Sequence, residues 1–184
     1  MRHWWTVIVL GVAIAGRAEA ADPEKPITID LLLRNDARVP VLVLERSQDE
    51  VARIFAHAGL AVRWTETAPR LIIIIVAQVL GFDRAASPVM GAAIRRAHSS
   101  TVQVFFRQVQ GFARTYRIDD GTMLAYVIAH EIGHVFLGGA HSPTGLMQAE
   151  WDHALVHDAG EGSLKFDNMQ AARIRAVMIA DGGN

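Results

Sequence analysis

The sequence predicts an α/β domain, a mixed twisted sheet packed by a few helices, and three observations carry that prediction. Short runs rich in Ile, Val, Leu and Phe alternate along the chain with stretches of helical spacing. One run, Leu71 to Ala77, is apolar without alternation, as a central strand covered on both sides would be. The longest helical stretch, ending at Gly138-Gly139, is apolar around most of its circumference and so belongs inside the core. With 184 residues there is room for one well-filled core and not for two comfortable ones.

Taken in order, residues 1–20 are expected to be a signal peptide. Arg2 and His3 give a basic start, Thr6 to Gly16 is an apolar run too short to span a bilayer, and Ala18-Glu19-Ala20 is a small-x-small cleavage pattern. The mature domain, residues 21–184, then starts at Ala21. Ile27 to Leu33 and Val39 to Leu44 read as strands separated by the turn at Asn35-Asp36. Ser47 with Glu50 has the spacing of a capping box, which predicts a helix to about Ala58, closed by Gly59. Val62 to Thr65 and Leu71 to Ala77 follow as strands. Leu80 to Arg96, interrupted by Gly81, Pro88 and Gly91, reads as a loop with a short strand near Ala92 to Arg95. Thr101 to Phe106 is strand-like and alternates polar with apolar residues, as an edge strand would. Helices are predicted over Arg107 to Tyr116, from Asp119 or Asp120 through Leu137, and over Asn168 to Ile179.

A net charge of −1 with dispersed basic residues lacks the footprint of a nucleic-acid or membrane-surface binder. Cysteine is absent, so an exported form would be held by its core and a metal rather than by disulfides, and would carry no lipid on cysteine. The expected location is secreted or periplasmic, without stable membrane insertion after signal cleavage.

The chemistry concentrates in His130-Glu131-Ile132-Gly133-His134, inside the long predicted helix. Residues four apart share a helix face, so both imidazoles can converge on one ion while Glu131 stands beside it to act on water. Val127, Ile128, Ile132, Val135 and Phe136 make the helix apolar, and such a helix has no use for two histidines and a glutamate without a partner for them. A Zn2+ ion with His130 and His134 as ligands and Glu131 as general base is therefore expected. His141 is the first choice for third ligand, because Gly138-Gly139 lets the chain turn back towards the ion. Glu150 and Glu161, and also Asp152, His153 and His157, compete for that position.

These residues resemble the metzincin clan of zinc peptidases, which has a glycine three residues and a third histidine six residues after the second histidine. Leu137 and Ala140 occupy those positions here, and Gly138 and His141 come one residue later. An extra residue beyond a helix end is tolerable, whereas inside the helix it would rotate the face by about a hundred degrees. His130 to Trp151, including His-Ser-Pro-Thr-Gly-Leu-Met, is also similar to a group of small bacterial zincin-like proteins.

The resemblance implies a single zincin-like domain hydrolysing peptide or protein substrates, with Met147 on a turn beneath the metal and Trp151 as an anchor of that turn. It further implies a substrate lying extended along a sheet edge, for which Thr101 to Phe106 is the expected strand. Neither Tyr116 nor Tyr126 follows the turn, so the oxyanion is left to the metal or to a histidine such as His153 or His157. Two rival readings remain at this stage, a non-catalytic zinc-binding module and an interaction domain without metal.

Overall fold

A computed structural model describes residues 26–78, 89–95 and 100–182. The expected signal peptide and its cleavage site lie outside the described residues, as does most of the loop expected from Leu80. Among the described residues no helix is long and apolar enough to cross a membrane.

The elements run β1 (Thr28–Asn35), α1 (Val41–His57), β2 (Ala61–Trp64), β3 (Leu71–Val76), β4 (Gly91–Arg95), β5 (Ser100–Phe105), α2 (Phe106–Tyr116), α3 (Asp120–Leu137), a 3-10 turn (Gly145–Met147), α4 (His153–Gly160) and α5 (Asn168–Gly182). The sheet has the order β2-β1-β3-β5-β4. All neighbours are parallel except β4, which runs antiparallel to β5. The sheet is thus mixed, and the apolar Leu71–Val76 is its middle strand, as expected.

Leu71, Ile73 and Ile75 are fully buried together with Ile29, Leu31, Val102 and Val104, so one sheet face carries the core. The alternate residues Ile72, Ile74 and Val76 are only half-buried. Cover on both sides of β3 is met on one face alone. Helix α1 presents Ser47, Val51, Ile54 and Phe55 at helical spacing to that core. Helix α3 packs on α1, α2, β4 and β5 and is the most buried element of the fold.

Two expected features are corrected. Val39 to Leu44 is not a strand. The Asn35 side chain donates to the Val39 carbonyl and accepts from its N–H, closing a tight turn, and Pro40 then begins α1. Val41 and Leu42 are 65% and 74% exposed, so the run is buried only at Val39. Ser47 lies inside the helix and donates back to the Leu44 carbonyl at 2.7 Å instead of capping it.

The second correction concerns Thr101 to Phe106. That strand is paired on both sides, Gln103 standing opposite Ile74 of β3 and Ala92 of β4. The edge on that side of the sheet is β4, and β2 forms the other edge. Helix α4 was not expected. Asp152 caps it by accepting from Leu155 N–H, which accounts for a residue considered as a ligand.

Because β5 is interior, Gln103→Pro is expected to destabilise the whole domain, by on the order of 3 kcal/mol, through a lost ladder bond and a ring that cannot fit between two strands. Thermal unfolding checks this; a melting temperature equal to that of the parent would place β5 at an edge after all.

Candidate metal centre

Helix α3 starts where the Asp119 carboxylate accepts from Thr122 N–H and ends at Gly138, whose φ of 96° few side chains would tolerate. Between these points His130 and His134 lie one turn apart with ring centroids 4.7 Å from each other. The chain leaves the helix at Gly138 and turns back, bringing the His141 ring to 4.8 Å from His134 and 5.4 Å from His130. One nitrogen from each of the three rings lies within 4.8 Å of the others. The residue by which this spacing exceeds the metzincin pattern is therefore absorbed in the turn, leaving the helix face intact.

Backbone carbonyls set the ring tautomers. His130 Nδ1–H donates to the Leu146 carbonyl at 2.8 Å, and His134 Nδ1–H donates to the Gly138 carbonyl at 3.0 Å. In the neutral rings Nε2 is then a bare lone pair on each, and these two atoms face one another at 3.1 Å. Two lone pairs so close repel unless a cation or a proton lies between them. Tetrahedral zinc bonded to nitrogen at ~2.0–2.1 Å sets its ligand atoms roughly 3.3 Å apart, so the donor set fits such an ion. Burial pushes the His130 imidazole down to about 4, with His134 and His141 adding to the effect, which keeps it neutral and able to ligate. Burial and the neighbouring His134 also lower His141.

Glu131 is buried, and burial pushes its carboxyl up to about 7. It lies against β4, where a Cβ on Gly91 would stand 2.6 Å from Glu131 Cγ and 2.8 Å from Oε1. Only glycine leaves room there. The sequence marks Gly91 only as an interruption of the expected loop, but it is the first residue of β4, where a glycine signals close approach.

Met147 is buried beneath the helix, and a Cβ on Gly133 would come within 2.3 Å of its Sδ. The thioether therefore packs directly against α3 at Gly133, the residue before His134. Trp151 donates from Nε1 to the Gln148 carbonyl at 3.2 Å and packs its ring edge-on to Tyr126 and His130. It anchors the turn and also lines the cleft.

The remaining expected ligands separate from the cluster. Glu150 lines the cleft without joining the three histidines. Asp152 is a helix cap, while His153, His157 and Glu161 line a different depression with Arg46 and Tyr116. Tyr126 is fully buried with its hydroxyl accepting from Arg53, and Tyr116 stacks on Phe112, so neither tyrosine reaches the cluster.

No protein-family model matches the sequence, and none of the curated proteins compared with it does. Solved structures do match by fold. Archaemetzincin from Methanopyrus kandleri is 14% identical with a TM-score of 0.53, the match covering 83% of this chain and 96% of that one. A zinc-dependent peptidase from Methanocorpusculum labreanum is 15% identical with a TM-score of 0.52, covering 78% and 99%. The fold is zincin-like. At these identities the likeness is one of fold, and the site rests on its own geometry.

The raised Glu131 carboxyl has a measurable cost in metal-free protein. Unfolded, the group ionises near 4.5; folded, near 7. The native state therefore holds the extra proton between those values and loses stability as pH rises through them, by about 3 kcal/mol in all. Relative to metal-free Glu131→Gln, the parent should weaken progressively between pH 4.5 and 7 and then level off. Denaturant unfolding at a series of pH values measures this, and a pH-independent difference would contradict it.

Proposed function

We propose that this protein is a zinc-dependent peptidase that hydrolyses peptide or protein substrates with Glu131 as general base. The observation that carries the reading is the meeting of three imidazole nitrogens within 4.8 Å, with a buried carboxylate on the helix that carries two of them. Three neutral ligands leave a coordination position open, whereas purely structural zinc sites close with a fourth protein ligand. The fold neighbour from Methanocorpusculum labreanum is a zinc-dependent peptidase, which supports the same activity and the same metal.

His130, His134 and His141 would hold the ion, the first two presented through Nε2 by the carbonyls of Leu146 and Gly138. Zinc bound there would supply Lewis acidity towards the scissile carbonyl and towards water. Glu131 takes the proton of the attacking water and returns it to the leaving amine. Gly91 keeps β4 close to that carboxylate. As the edge strand beside Glu131, β4 can hold an extended peptide by backbone hydrogen bonds, the role first expected of β5. The basic start, short apolar run and Ala18-Glu19-Ala20 support export of this activity out of the cytoplasm.

Zinc should bind at about one equivalent per chain, and His130→Ala, His134→Ala or His141→Ala should lower its affinity by at least tenfold in elemental analysis against a chelator. Glu131→Gln should retain zinc and lose at least a hundredfold in peptide hydrolysis, since general-base catalysis contributes about 10²–10⁴. Full hydrolysis by that variant would refute the base assignment. The N-terminal residue of protein recovered from an exporting host should be Ala21; an intact Met1 in the membrane fraction would replace the signal peptide with an anchor.

A further inference from the structure

The walls of the cleft bear on which peptides enter it. We propose that Glu150 selects a basic side chain, arginine or lysine, at the substrate residue beside the scissile bond. This rests on the peptidase reading given above.

The cleft has a volume of about 420 Å³, and Met90, Phe112, Val127 and Trp151 supply its apolar lining. Val127 lies one turn before Glu131 on α3, so the apolar wall adjoins the reacting groups. Among the described residues the lining holds two carboxylates, Glu131 and Glu150, and no lysine or arginine. Glu131 is buried against Gly91, whereas Glu150 is exposed to solvent. None of the ion pairs among the described residues involves Glu150. Its backbone neighbour Trp151 is held by the Gln148 carbonyl and by the rings of Tyr126 and His130, so this carboxylate is carried on a fixed wall.

Apolar walls with a carboxylate that is in no ion pair among the described residues match a side chain with a long aliphatic stem and a cationic tip. The stem covers Val127 and Met90, the tip reaches Glu150, and a guanidinium also stacks favourably on Trp151 or Phe112. An aliphatic side chain fills the same walls but leaves Glu150 partly desolvated and without a counter-charge. An acidic one brings a like charge to it.

The test uses zinc-loaded full chain and three peptides of equal length that differ at one residue, arginine, leucine or glutamate. Equilibrium binding is measured on Glu131→Gln, and kcat/KM on the chain with Glu131 intact. The arginine peptide should bind about three- to tenfold more tightly than the leucine peptide at low ionic strength, and the margin should shrink in 1 M salt. Adding Glu150→Gln should remove the margin, and Glu150→Lys should turn the preference towards glutamate, with zinc content and circular dichroism confirming that each variant is folded. An arginine preference that survives Glu150→Gln, or equal binding of all three peptides, overturns the proposal. Arginine-selective binding without cleavage of any peptide would leave the selectivity standing and refute the peptidase reading; equal cleavage of all three would do the reverse.

Discussion

The hydrogen bond from His130 Nδ1–H to the Leu146 carbonyl joins the site helix to a segment sixteen residues further on, and the rest of the site depends on it. It fixes the tautomer and the plane of the ring, and it also fixes where the returning chain lies. His141 stands five residues before that carbonyl and Met147 one residue after it. The return is closed by Ser142 N–H donating to the Met147 carbonyl, and it is tied to the segment ahead of α5 by Leu146 N–H donating to the Lys165 carbonyl. A bond of this kind contributes only about 1 kcal/mol net, but an unmet buried donor would cost about 1–3 kcal/mol. Its effect is to exclude other arrangements of the turn more than to add stability.

Placing such groups on the most buried helix requires compensation from the core. Glu131 and His130 are both shifted by burial towards their neutral forms, so the helix carries polar groups that the fold would not choose for stability. The apolar contacts of α1 and the sheet, and aromatic packing such as Phe55 on Phe166 at 5.4 Å, hold the helix in place. Two glycines then regulate approach. Gly133 admits the Met147 sulfur and Gly91 admits the Glu131 carboxylate, each where a single methyl group would collide.

What was legible in the sequence follows the range of the interactions involved. The two helical histidines, the glutamate between them and the Asp119 cap are local patterns, and each stands where spacing placed it. The apolar Leu71–Val76 could be recognised as the middle strand because burial marks its composition. Edge and interior were not legible for β5, since the alternation of Thr101 to Val104 reports one half-buried face and not whether a neighbour pairs beyond it. The short strand expected near Ala92 to Arg95 is β4, but nothing in its sequence says that it pairs with β5. Val39 to Leu44 misled because apolar composition resembles a strand, while the Asn35 side-chain bonds and Pro40 decide for a helix. His141 lay between these cases. Two glycines permitted the return, but only the distant Leu146 and Lys165 backbone determines where it goes.

The three histidines differ in how firmly the fold grips them. His130 is buried within α3, His134 is half-buried, and His141 sits exposed on the turn. Opening of residues 139–144 alone, which are exposed or half-buried, would leave the sheet, α3 and the buried Leu146 and Met147 in place, so it requires far less free energy than unfolding the domain. An ion held by all three would consequently exchange through a two-coordinate half-site that persists on the helix. Its residence time would then be set by the breathing of residues 139–144, and the lifetime of the folded chain would have little influence on it.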